Sequence, residues 1–279
     1  MSQQGRSTGG RDQGGAFGSL RAFAAALTSL GARERLDGRM TVHFLHIGKT
    51  AGTQVRMALK KIARRDQRFR FRAHPHRTGL KDLPADAAYF FTLRDPISRF
   101  RSGFYSRKRQ GRPRYDSPWS DDERRAFERF EHANDLAEAL FRDDADGRAA
   151  TAAMLSIVHV FRGQAEWFAR RGAFLEAQPP LAILRQEHLS EDWGRFMTAL
   201  GIDARLAATA IESGREHVND YSGVPPLSER AIANLERWYA ADRAFHRMCS
   251  HYVETMLDAA APSDAAAWAV IQASTAHPS

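Results

Sequence analysis

Residues His46-Ile-Gly-Lys-Thr-Ala-Gly-Thr53 hold the residue types that an anion site needs, packed into one short run. Gly48 and Gly52 permit close backbone approach, Lys49 adds a mobile positive charge, and Thr50 and Thr53 add hydroxyl donors. If a strand precedes this run and a helix follows it, backbone N–H groups and the helix dipole converge on a point that attracts an anion. A Walker A loop shares the Gly48-Lys49-Thr50 ending but requires glycine at position 43, where this chain has His43. The wide loop that wraps a triphosphate is therefore missing. A second constellation lies in Arg94-Asp-Pro-Ile-Ser-Arg-Phe-Arg-Ser-Gly-Phe-Tyr105. On a helix started by Pro96, Ser98 and Ser102 share a face, so Arg94 and Ser102 can reach one phosphate. His74 and His76, in Arg-Ala-His-Pro-His-Arg, are candidate bases because an imidazole titrates near neutral pH. His43, His46 and His159 read as packing or supporting residues.

These side chains need elements to position them. The run Thr41–Ile47 is rich in β-branched and aromatic residues and stops at Gly48, which predicts a buried strand ending at a turn. Over Thr53–Arg65, Val55, Leu59 and Ile62 fall at helical spacing, and Arg56, Lys60, Lys61, Arg64 and Arg65 populate the other side. A second strand over Ala87–Leu93 places Arg94 at its C-terminal end, where open parallel sheets bind ligands. Helices are predicted over Ser98–Lys108, Ser120–Phe141, Glu191–Leu200 and Ser228–Leu257, and a third strand over Leu181–Leu184. Asp121 and Asp122 read as the acidic start of a helix rather than as metal ligands. The pattern predicts an α/β fold: a P-loop-like parallel sheet flanked by helices, with a helix-rich C-terminal half.

Together the two motifs resemble the PAPS-dependent sulfotransferases (PAPS is 3′-phosphoadenosine 5′-phosphosulfate), especially the carbohydrate 2-O-sulfotransferase group and its bacterial relatives. Gly48-Lys49-Thr50-Ala51-Gly52-Thr53 is similar to the family's 5′-phosphosulfate loop, Pro-Lys-Thr-x-x-Thr. Arg94 and Ser102 are similar to its 3′-phosphate motif. The resemblance implies that Lys49 contacts the oxygen bridging phosphate and sulfate, that Thr50, Gly52 and Thr53 hold the 5′-phosphate, and that Arg94 and Ser102 hold the 3′-phosphate. It further implies a histidine base for in-line attack by an acceptor hydroxyl on a carbohydrate or glycoconjugate, with PAPS released as PAP (the 3′,5′-bisphosphate) and no metal required. Both His74 and His76 are open for that role, His74 being nearer the place of the family's single histidine. Gly48 departs from the usual proline and is expected to loosen the loop. His217-Val-Asn219-Asp-Tyr-Ser222 is similar to a C-terminal Asn-x-Ser segment near the nucleotide, although an ordinary turn uses the same residues.

The whole chain bounds these readings. Its 279 residues and 43% hydrophobic content suit one domain over 39–260, between a flexible tail at 1–38, able to form a short helix over Ser19–Ala32, and a tail at 261–279. The net charge of +8 favours an anionic partner. The basic run Ser106–Arg114 is read as a solvated loop, with guidance of an anionic acceptor as the alternative. The single cysteine, Cys249, excludes an intramolecular disulfide and fits a cytoplasmic location. Ala22–Leu30 is too short to span a bilayer, so no transmembrane segment is expected. An ATP-dependent small-molecule kinase is the alternative enzyme. A nucleic-acid binder would match the charge, but no nucleic-acid motif is present.

Overall fold

Val42, His43, Phe44 and Leu45 are all buried, as expected of a strand covered on both faces. In the computed structural model, which describes residues 38–168, 173–212 and 221–259, they belong to β1 (Met40–Leu45). The predicted helix over Ser19–Ala32, the tail at 261–279, and His217 and Asn219 lie outside the described residues. Three further strands complete a sheet: β2 (Phe69–Ala73), β3 (Tyr89–Leu93) and β4 (Ala182–Arg185). Their order is β2-β1-β3-β4 and every pair is parallel. The fold is therefore α/β with an all-parallel sheet flanked by helices. From β1 the chain crosses to one side and from β3 to the other, so a crevice opens at the C-terminal ends of these two neighbours.

Helix α1 (Gly52–Arg65) follows β1 and buries Val55, Leu59 and Ile62, the predicted apolar stripe, together with Ala58. It packs on one sheet face, beside Phe44 and Phe90, with Trp193 and Phe196 of α7 (Leu189–Ala199) and Ala207 and Ile211 of α8 (Ala204–Glu212). On the other face Leu45, Tyr89 and Phe91 meet Trp167, Phe168, Phe174 of α6 (Phe174–Ala177), and Phe245 and Cys249 of α10 (Ala240–Ala259). Burial pushes the Cys249 thiol pKa up, so it behaves as a small apolar side chain. A third core joins α2 (Pro96–Lys108), α3 (Asp121–Arg129), α4 (Ala133–Ala139), α5 (Ala145–Ser156) and α9 (Glu229–Trp238). Among the described residues no helix is long and apolar enough to cross a membrane.

Three expectations are corrected. The predicted helix Ser120–Phe141 is two helices, because Phe130 turns extended to bury its ring and Asp135 accepts from His132 N–H at 2.8 Å to restart the chain. The predicted helix Ser228–Leu257 divides at Tyr239, whose ring is buried and whose hydroxyl donates to the Val160 carbonyl at 3.0 Å. β2 escaped the sequence reading because Phe69-Arg-Phe-Arg-Ala73 is an edge strand with only Phe69 fully buried, so its charges look like more of the basic helix before it. The helix start after Ser120 is as expected, with a reciprocal cap between Ser120 and Glu123.

Candidate functional site

The loop between β1 and α1 is fastened from below. Thr50 Oγ1 donates to the Ile47 carbonyl at 2.8 Å, which leaves the hydroxyl of Thr92 on β3 to donate to Thr50 at 2.6 Å. Both threonines are fully buried. Arg99 of α2, 2% exposed, donates through Nε to the Gly48 carbonyl at 2.9 Å and through Nη1 to the Arg162 carbonyl at 2.9 Å. Lys49 (φ 70°) and Ala51 (φ 66°) lie in the left-handed region, the kind of backbone from which concave anion sites are built. Ala51 provides no side-chain cap to α1. The first N–H groups of that helix are thus left for a ligand, and Gly52, Thr53 and Gln54 line the cleft above it.

That cleft, about 390 Å³, lies at the crevice between β1 and β3. Lys49, Arg94 and Ser102 all line it, so the two sequence motifs converge on one site. Thr50 does not line it and acts as a fastener instead. Arg94 donates through Nε to Ser98 Oγ at 2.6 Å and through Nη1 to the Lys49 carbonyl at 3.2 Å, which locks the second motif onto the first. Its backbone is clamped by Gln164, fully buried: Oε1 accepts from Arg94 N–H at 3.1 Å and Nε2 donates to the Arg94 carbonyl at 2.7 Å. The basic run also arrives here. Arg109, Arg112 and Arg114 line the cleft, and among the described residues no carboxylate does. Burial, with Arg114, Arg94, Arg109 and Arg99 nearby, holds the Lys49 pKa down to about 8. Arg112 is paired with Asp116 at 3.2 Å, and the three arginines stand at the exposed rim, so the cleft has a positive rim above Lys49 and Arg94 that suits an anionic ligand.

The loop carrying the basic run is held by a buried ion pair. Arg107 donates to Glu123 through Nε at 2.7 Å and Nη2 at 2.6 Å, and to the Ser117 and Pro118 carbonyls at 3.2 Å each. Glu123 Oε1 also accepts from Val158 N–H at 3.1 Å, so one carboxylate braces the basic loop and the turn that carries His159.

The histidines separate by geometry. His76 lines the cleft, and its Nδ1 lies 2.8 Å from the His46 carbonyl. A carbonyl only accepts, so Nδ1 carries the proton and Nε2 keeps its lone pair. His74 does not line the cleft, and its Nε2 is engaged with His43 Nδ1 at 2.9 Å. Burial lowers the pKa of both His74 and His76, more than the other contacts do, so each is neutral at pH 7. His46 and His159 also line the cleft, and burial pushes the pKa of each down to about 3. His159, read from sequence as packing, therefore belongs to the site. The His46 ring packs so closely on Gly52 that a Cβ there would lie 1.9 Å from it, which explains the glycine.

No family model matches the chain, and no curated protein or solved structure matches it.

A second hollow, about 760 Å³, opens between residues 161–168 and α10. It holds none of the predicted site residues. Gln164, Arg99 and His159 were missed as site residues, because each acts across more than fifty residues of sequence and no local pattern marks such a contact. Tyr221 lines the cleft as well, while Ser222, three residues after Asn219, does not line it.

Proposed function

We propose that the protein is a PAPS-dependent sulfotransferase with a P-loop-like phosphosulfate loop, acting on the hydroxyl of a carbohydrate or glycoconjugate. The observation that carries this reading is the joining of Lys49, Arg94 and Ser102 in one cleft beside a neutral His76. PAPS, when bound, supplies an activated sulfuryl group. Lys49 and the uncapped N–H groups at Gly52 and Thr53 would hold the phosphosulfate end, and Arg94 with Ser102 the 3′-phosphate. His76 Nε2 takes the proton of the acceptor hydroxyl. The acceptor oxygen–sulfur bond forms as the sulfur–oxygen bond to phosphate breaks, and the charge left on the 5′-phosphate is met by Lys49. Arg109 and Arg114 at the rim of the cleft, beside Arg112 with its Asp116 partner, favour an acceptor that carries negative charge.

The kinase alternative uses the same strand-loop-helix physics, but the short loop and the presence of both Arg94 and Ser102 in the cleft lining favour the 3′-phosphorylated donor. The test is acceptor-dependent release of PAP from PAPS over a panel of neutral and acidic saccharides. His76→Ala should lower kcat by about 10²–10⁴-fold, the usual contribution of a positioned general base. His74→Ala, whose ring faces His43, should cost far less. Full turnover in His76→Ala would remove it as the base, and turnover with ATP but not PAPS would promote the kinase.

A further inference from the structure

We infer that His159 is a second active-site imidazole, placed to donate a hydrogen bond to the transferring sulfuryl group, and that position 48 is glycine to make room for it. The inference rests on the sulfotransferase reading above. Its first support is position. His159 lines the same cleft as Lys49 and meets the His76 ring edge-to-face, with centroids 5.6 Å apart. A Cβ built on Gly48 would lie 2.9 Å from His159 Nδ1 and 3.8 Å from His76 Nδ1. The two imidazoles thus frame the residue that precedes Lys49. Instead of merely loosening the loop, glycine at this position admits a ring that any side chain would displace.

The backbone supports the same conclusion. His159 has φ 73°, a conformation that costs a non-glycine residue about 1–3 kcal/mol and persists only where the surroundings enforce it. Here Val158 N–H donates to Glu123, Val160 N–H to the Ile157 carbonyl at 2.9 Å, and the Tyr239 hydroxyl to the Val160 carbonyl. Gly103 lets the turn come close, since a Cβ there would lie 2.9 Å from the His159 carbonyl oxygen. These contacts fix the turn, and with it the ring, against the loop at Gly48.

The chemistry follows from the ring's charge state. Burial, reinforced by Lys49, His76, Arg99 and Arg107, keeps His159 neutral. A neutral imidazole retains one N–H donor, and no hydrogen bond ties this ring to another described residue. It can orient a sulfuryl oxygen without adding a cation beside Lys49.

His159→Gly removes the ring and relaxes the backbone, so the melting temperature should hold or rise. PAP affinity, measured by calorimetry, should stay within about threefold while kcat falls about 10²-fold, as for loss of one preorganised donor. His159→Asn, which tolerates φ > 0 and keeps a side-chain N–H, should recover part of the rate. Gly48→Ala should lower the melting temperature in the wild-type background and have little effect in His159→Gly, a coupling that additive sites lack. Wild-type turnover in His159→Gly, or PAP affinity falling as steeply as kcat, would overturn the proposed role while leaving the sulfotransferase reading intact. Equal thermal losses for Gly48→Ala in both backgrounds would overturn the Gly48 half. A wild-type chain without PAP affinity would remove the reading itself and this inference with it.

Discussion

At the scale of the residue, the charge on Lys49 sets the terms on which an anion enters the cleft. Its pKa, held to about 8 by burial and four arginines, leaves an appreciable neutral fraction near physiological pH. An anionic ligand favours the charged form and raises that pKa, so binding takes up protons above pH 8. Affinity for PAP should be level below this point and fall by up to about tenfold per pH unit above it. Calorimetry in two buffers of different ionisation enthalpy should register the proton uptake, and Lys49→Met should abolish it. An affinity unchanged across pH 8 would mean that Lys49 does not face the ligand. The histidines show how context divides identical side chains. His76 offers a lone pair because a carbonyl fixes its tautomer, whereas His74, two positions earlier, spends its Nε2 on His43. Nothing in Arg-Ala-His-Pro-His-Arg distinguishes the two, because the partners come from β1 and the loop after it.

At the scale of the element, two supports outside the motifs hold the site in shape. Gln164 satisfies both backbone groups of Arg94, its amide supplying the donor and the acceptor from one planar group. Gln164→Ala leaves both buried groups unpaired, at about 1–3 kcal/mol each, and should weaken PAP binding as well as stability. A lowered melting temperature with PAP affinity untouched would show that the clamp does not position Arg94. Glu123→Ala strands the buried Arg107 guanidinium and should cost about 3–5 kcal/mol in denaturant unfolding. A loss below about 1 kcal/mol would contradict the bracing role of the pair. The strand-loop-helix from β1 to α1 and the turn from β3 to α2 were legible in sequence, because hydrophobic periodicity and glycine or proline punctuation are local signals. β2 was not, since an edge strand half open to water needs little apolar sequence. The breaks at Phe130 and Tyr239 were not either, because burial of those two rings, not a helix-breaking residue, ends each helix.

At the scale of the whole molecule, the sheet order places the ends of β1 and β3 side by side and sends the chain away from them in opposite directions. Two motifs far apart in sequence are thereby carried into one crevice, and the basic run folds over it. The net charge of +8 says nothing of where an anion would sit, whereas Lys49, Arg94, Arg109, Arg112 and Arg114 all line one cleft. The most direct test is a calorimetric titration of the protein with PAP and, separately, ATP, repeated on Arg94→Ala. PAP should bind more tightly than ATP, and the mutant should lose at least about 2 kcal/mol of that affinity, as expected when a charge-assisted contact to phosphate is removed. Absence of PAP binding, or a preference for ATP that survives Arg94→Ala, would contradict the assignment.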